Sequence, residues 1–128
     1  MQVIKILENN GLSIEHIDLI STRPINYKTI VNSVKKTKKI VVIDIGWIPF
    51  STSSEIIAFL NDNLNIKINS LRIGNADHPT PASPSLAKKY YPSIFDMTKK
   101  ILKFMNIEFR NLKEEKDYIV DKPDESFT

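Results

Sequence analysis

Asp44, Asp77 and His78 are the residues whose types and placing could do chemistry together. Asp44 and Gly46 close an apolar run, and Asp77 and His78 follow Gly74, which closes a later one. Open α/β sheets gather such strand ends along one border, where ligands bind. A histidine titrating near neutrality, with an aspartate to orient it, is an acid–base pair. The structural alternative is concrete too: carboxylates at strand ends cap nearby helices, and a histidine before proline is a loop residue.

Other chemistries lack their parts. His16 and His78 are the only histidines, they lie in different segments, and cysteine is absent, so neither disulfides nor the commonest zinc and iron–sulfur ligand sets are available. No metal site is expected. Glycine occurs only at positions 11, 46 and 74, which excludes the dinucleotide fingerprint and the phosphate-binding loop, and no serine sits in Gly-x-Ser-x-Gly. Lys35, Lys36, Lys38 and Lys39 form a basic cluster without interleaved aromatic residues or arginines, which reads as a solvated corner and not as a nucleic-acid surface. Trp47 and Phe50 lie on either side of Ile48-Pro49, beyond the point where a core should be complete. Such a pair is either a lid over the following helix or an anchor for a partner.

The elements that position these residues alternate. Ile40-Val41-Val42-Ile43, within Lys39–Trp47, is the unbroken β-branched run of a parallel strand buried on both faces. Val3, Ile4 and Leu7 sit at helical spacing before Gly11, which is placed to end that helix. Ile14, Ile17, Leu19 and Ile20 read as a first strand, interrupted by Glu15, His16 and Asp18. Asn26 is an N-cap for a helix carrying Tyr27, Ile30, Val31 and Val34, with Lys35 and Lys36 in its last turn. Ser51–Ser54 offer N-caps for a helix through Glu55–Leu64 with Ile56, Ile57, Leu60 and Leu64 inside. Ile66, Ile68, Leu71 and Ile73 mark another strand. Pro79, Pro81 and Pro84 stiffen the loop beyond it. Ser85–Tyr90 reads as a short helix, and Ser93 with Asp96 reads as a capping box for a helix bearing Met97, Ile101, Leu102 and Met105.

Strand and helix in alternation predict an α/β layer fold. At 128 residues, with 41% hydrophobic and 26% charged residues, the chain can bury one core and is not compositionally disordered. The first ten residues carry charge within their apolar stretch, and no later run reaches membrane-spanning length. The expectation is a cytoplasmic protein with no membrane partner.

Taken in order, certain motifs resemble a known family. They are Ile17-Asp18-Leu19, Thr22-Arg23-Pro24, Ser33-Val34-Lys35-Lys36-Thr37, Val41-Val42-Ile43-Asp44-x-Gly46-Trp47, Ser54-Glu55-Ile56 and Asp77-x-Pro79-Thr80-Pro81. They resemble the C-terminal domain of the transketolase family, most closely that of the beta subunit of 2-oxoacid dehydrogenase decarboxylating components (pyruvate, branched-chain or acetoin type). The resemblance runs from Met1 to about Phe104.

It implies a three-layer α/β/α sandwich with a mostly parallel sheet over residues 1–106, lacking the usual opening strand. A C-terminal extension over 107–128 is expected to be partly strand-like and then frayed. It also implies an oxidoreductase assembly that uses thiamine diphosphate and magnesium, with the cofactor and catalytic residues held outside this chain. The implied partners are the alpha subunit, the remaining beta-subunit domains and, in some members, the acyltransferase component, in a homo- or hetero-oligomer. Trp47, Phe50, Glu55 and His78 are the interface candidates; no catalytic, cofactor-binding or metal residue is assigned.

The chain departs from the family pattern in three respects. Ile45 stands where a second acidic residue often follows the position of Asp44, and Ser51–Ser54 replace a glycine-rich helix entry. The third departure is an upstream strand, internal to the family's sheet, that this sequence lacks. An empty internal position would leave backbone groups unpaired on both neighbours. Either Ile107–Leu112 or Asp117–Val120 returns to fill it, or another polypeptide does. The expected function is a non-catalytic assembly domain of such an enzyme. The alternatives are a stand-alone binding or regulatory module that keeps the fold, and an enzyme using Asp44 and His78.

Overall fold

In a computed structural model, the structure describes residues 2–108. The expected extension, including Asp117–Val120 and most of Ile107–Leu112, lies outside the described residues.

Helix α1 (Gln2–Asn9) buries Leu7 and ends as expected at Gly11, whose φ of +83° places it in the left-handed region and whose N–H donates to the Glu8 carbonyl at 2.9 Å. Helix α2 (Tyr27–Thr37) starts where the Asn26 side chain accepts the Thr29 N–H at 3.3 Å. It stops at Lys38, left-handed at φ +55°, whose N–H donates to the Val34 carbonyl at 2.8 Å. Strand β1 is Lys39–Trp47 and contains the predicted β-branched run, but its residues are partly buried or exposed and not buried on both faces, and helix α3 is Thr52–Asn63. Strand β2 (Asn69–Asn75) begins after Ile66 and Ile68, and α4 (Pro84–Tyr90) has proline in its first turn, where no N–H is needed. The capping box at Ser93 and Asp96 is present at the start of α5 (Ile94–Phe104).

The fold is mixed α/β with a small parallel sheet, β1 beside β2. Register runs from Lys39 opposite Asn69 to Ile43 opposite Ile73, and then breaks. Between Ile43 and Trp47 β1 takes four steps while β2 takes two from Ile73 to Asn75, so β1 carries the irregularity. Successive strand residues point to opposite faces. Ile40 and Val42 accordingly pack with Ile30, Val34, Ile56 and Leu60 of α2 and α3, whereas Val41 packs with Leu7, Ile73, Ile101 and Leu102, the cluster formed by α1, β2 and α5.

One expected element is corrected. Ile14–Ile20 is not a strand: the segment is irregular, and none of its backbone groups bonds to another backbone group among the described residues. Its apolar residues nevertheless divide between the two cores. Leu12 and Ile14 join the α1–α5 cluster, Ile17 and Leu19 join the α2–α3 cluster, and Ile20 is 98% exposed. The local pattern is strand-like, but a strand is completed only by a neighbour, and β1 is not bonded to it. The sheet thus has fewer strands among the described residues than the resemblance implies.

Candidate functional site

The carboxyl ends of β1 and β2 bring polar groups together, but most are committed to structure. Asp44 Oδ1 accepts the Gly46 N–H at 3.1 Å, a local turn within the irregular part of β1. Asn75 is 5% exposed, and its Nδ2 donates to the Ile45 carbonyl at 2.5 Å, holding β2 to β1 where the regular ladder has failed. A Cβ on Gly74 would lie 2.8 Å from the Gly46 carbonyl oxygen and 3.2 Å from Ile48 Cγ1, so the strands meet there at a distance only glycine permits.

The acid–base pair does not form. His78 is exposed, its Nδ1 lies 3.1 Å from the Pro79 carbonyl, and its ring rests on Tyr90 at a centroid distance of 5.0 Å; no hydrogen bond or ion pair joins it to Asp44. Tyr90 is instead the hub. It is 4% exposed, its hydroxyl accepts from Trp47 Nε1 at 2.7 Å and from Thr80 Oγ1 at 3.4 Å, and its ring meets Tyr91 edge-on at 4.9 Å. Neither Tyr90 nor Tyr91 stood out in the sequence, since forty-three positions separate Trp47 from Tyr90. The aromatic run after the proline-rich loop was the available signal.

The four interface candidates separate. Trp47 is half exposed and oriented by Tyr90. Phe50 is fully exposed at φ +55°, a left-handed conformation rare for a bulky residue. Glu55, in the first turn of α3, accepts from the Tyr27 hydroxyl at 3.5 Å; burial, with the nearby carboxylate of Glu55, raises the Tyr27 phenol above its ordinary range. Trp47 and His78 share Tyr90 as a neighbour, whereas Glu55 belongs to the α2–α3 face, where Tyr27 also stacks on Phe59 with centroids 3.7 Å apart.

Ser51–Ser54 do the work of a loop anchor. Ser51 Oγ donates to the Ile48 carbonyl at 3.1 Å and lies 2.5 Å from Ser53 Oγ, while Ser54 Oγ donates to the same carbonyl at 3.0 Å. Arg72 of β2 reaches both the Ile48 carbonyl, at 3.1 Å, and Ser54 Oγ, at 2.5 Å. These bonds clamp the α3 entry to the sheet, as a glycine-rich entry could not.

The apolar residues around this border stay outside. Ile45 is 90% exposed, Ile43 50% and Tyr91 49%. Among the described residues no group of three or more histidines, cysteines or acids is placed to hold a metal ion, and Asp44 and Asn75 are already bonded within the backbone turn and ladder. Among the described residues, too, no helix is long and apolar enough to cross a membrane.

These features define an α/β domain whose strand ends carry structural bonds and a partly exposed apolar surface. The chain belongs to the transketolase C-terminal domain family, whose family model matches residues 1–96. Among its relatives is the mitochondrial pyruvate dehydrogenase E1 component subunit beta of Dictyostelium discoideum, 40% identical over 90 residues, which are 67% of this chain and 25% of that protein. The corresponding subunit of Gracilaria tenuistipitata var. liui is 33% identical over 107 residues, covering 80% of this chain and 33% of the relative. The mitochondrial subunit of Bos taurus is 29% identical over 110 residues, covering 84% and 31%. The chain therefore spans a quarter to a third of the length of these relatives.

Proposed function

We propose that this chain is a non-catalytic assembly domain of a thiamine-diphosphate-dependent 2-oxoacid dehydrogenase, working with an alpha subunit and the remaining beta-subunit domains in the oxidative decarboxylation of a 2-oxo acid. Its sheet, once completed, forms the middle of a three-layer α/β/α sandwich. The observation that carries the reading is the apolar surface of Ile43, Ile45, Trp47 and Phe50 at the strand ends, where a self-sufficient enzyme would gather its polar groups. Ile45, 90% exposed, adds to that surface. Thiamine diphosphate and magnesium are the cofactors of the full assembly and are held by the other chains.

The test is recovery of the tagged chain from its own cells, with the mass of the complex and its thiamine diphosphate content measured together. A complex containing the cofactor and an alpha-type subunit is the expected result. A lone monomer or homodimer without cofactor overturns the enzyme assignment and leaves a stand-alone module of the same fold.

A further inference from the structure

We infer that the amino border of the sheet is a docking surface, where Lys35, Lys38, Lys39 and Lys67, set around Ile66, take up the acidic segment 114–125 of the same chain. The inference rests on charge and backbone geometry and on no enzyme assignment.

The fold sorts charge between the two borders of the sheet. In an alternation of helix and strand, helices end where strands begin, and cations suit helix C-termini while acids suit N-termini. Here α2 ends at Lys38 and β1 starts at Lys39, while the connector from α3 enters β2 through Lys67. Parallel register closes the corner. Lys39 stands opposite Asn69, and the Asn69 N–H donates to the Lys38 carbonyl at 3.1 Å, so Lys67 lies two residues from that pair. Lys35 is in the last turn of α2. All four lysines are exposed, and none is in an ion pair among the described residues. Two acids share this border: Glu15, which is taken by Lys36, and Asp62 in the last turn of α3, which leaves the lysines in excess. The opposite border carries acids, with Asp44 near the end of β1, Asp77 beyond β2 and Glu55 in the first turn of α3.

The corner also has an apolar centre. Ile66, next to Lys67, is 38% exposed. The lysines of α5, Lys99, Lys100 and Lys103, lack such a centre, because no large apolar residue of that helix is exposed. Cations gathered around apolar surface repel one another and favour an anionic partner with an apolar core.

The chain itself carries a segment of that chemistry. Residues 114–125 hold six acids against two lysines, a net charge of −4, with Tyr118-Ile119-Val120 enclosed between Asp117 and Asp121. Residues 1–108 have the opposite balance, fourteen lysines and arginines against nine acids. An apolar triplet collared by acids is the complement of an isoleucine collared by lysines. The point of departure is also suitable: Ile107 packs on the cluster that takes in Leu12, Ile14 and Leu71, and Glu15, beside Ile14, holds Lys36. From there residues 109–113, extended, reach about 17 Å, more than the radius of gyration of about 13 Å for a domain of this size. A short tether keeps the segment at an effective concentration of about 1 mM, so a contact of only millimolar intrinsic affinity is occupied about half of the time.

The experiment uses the full chain. Because cysteine is absent, Ser126→Cys gives a single site for a nitroxide spin label, and the amide signals of the chain are compared with the label oxidised and reduced. The amides of residues 35–39 and 66–69 should lose about half of their intensity in the oxidised sample, and those of residues 44–47 at the other border should not. Raising the salt from about 0.1 M to about 1 M cuts the screening length from about 10 Å to about 3 Å and should restore the signals. Lys39→Glu with Lys67→Glu should restore them at low salt, whereas Lys39→Arg with Lys67→Arg should leave them weakened. Four results overturn the inference: no loss at the corner, equal loss at residues 44–47 or 99–103, a loss that survives high salt or the glutamate pair, and equal loss when the label sits only on a second, isotopically silent copy.

Discussion

Replacing Phe50 by glycine separates what this residue does for folding from what it does for association. At φ +55° a bulky L-residue carries a penalty of about 1–2 kcal/mol relative to a right-handed conformation. The ring recovers nothing by burial, being fully exposed. Glycine removes the penalty and returns about 0.4–1 kcal/mol through the greater entropy of the unfolded chain. The net expectation for Phe50→Gly is a stabilisation of about 0.5–1 kcal/mol, or about 2–8 °C in melting temperature for a domain of this size. If Phe50 is an anchor for the alpha subunit, the same substitution should weaken that association about 30-fold, the effect of losing a residue worth about 2 kcal/mol at an interface. Phe50→Asn, which tolerates the left-handed region while removing the aromatic ring, should weaken association equally. Thermal circular dichroism and sedimentation of the mixed subunits measure the two effects. A melting temperature that falls would refute the strain argument, and unchanged association would remove Phe50 from the interface.

Other perturbations test the positioning of the site. Gly74→Ala should destabilise by about 1–3 kcal/mol, measured by urea unfolding, because its Cβ would press on the Gly46 carbonyl at 2.8 Å. Tyr90→Phe should cost about 1 kcal/mol and shift the fluorescence of the single tryptophan, since the phenol that accepts the Trp47 N–H would be gone. Leu102→Ala, at a fully buried position, should cost about 2–5 kcal/mol in the same assay. The hydrogen bond from Lys36, with a further one from Ser33, holds the Glu15 carboxyl below its usual range. Its folded value lies below its unfolded one, so its contribution is present above the unfolded range and fades as pH falls through the folded value. Lys36→Met should flatten the acid side of the stability profile, with only a small effect at neutral pH because the pair is exposed and screened.

Local signals were readable wherever one segment holds its own answer. Asn26, Gly11 and the Ser93–Asp96 box end or begin their helices through bonds spanning a few residues, and the β-branched run of β1 needs no distant residue to favour an extended chain. Ile14–Ile20 has a comparable local preference, yet pairing is a property of two segments and its neighbour is not β1. The same limit governs the site. Asp44 and His78 were brought together by the general geometry of strand ends, but the short turn to Gly46 and the Pro79 carbonyl satisfy them separately. The contact between Trp47 and Tyr90 depends on how the proline-rich loop returns, which no periodicity encodes.

The division of the interior into two clusters bears on the fate of a copy that finds no partner. Four buried residues of α2 and α3 form one cluster, and Leu7, Ile73, Ile101 and Leu102 form the other; among the described residues a sheet two strands wide stands between them. Each half can open without the whole of the other's contacts being lost, so sub-global openings below the global stability are the expected behaviour of an unaccompanied copy, and amide hydrogen exchange would read them. Proteases act on such openings in proportion to how often they occur. A third strand bonded along β1 would join the halves into one cooperative unit, and lifetime in the cell would then measure assembly: solitary copies are cleared, accompanied ones persist.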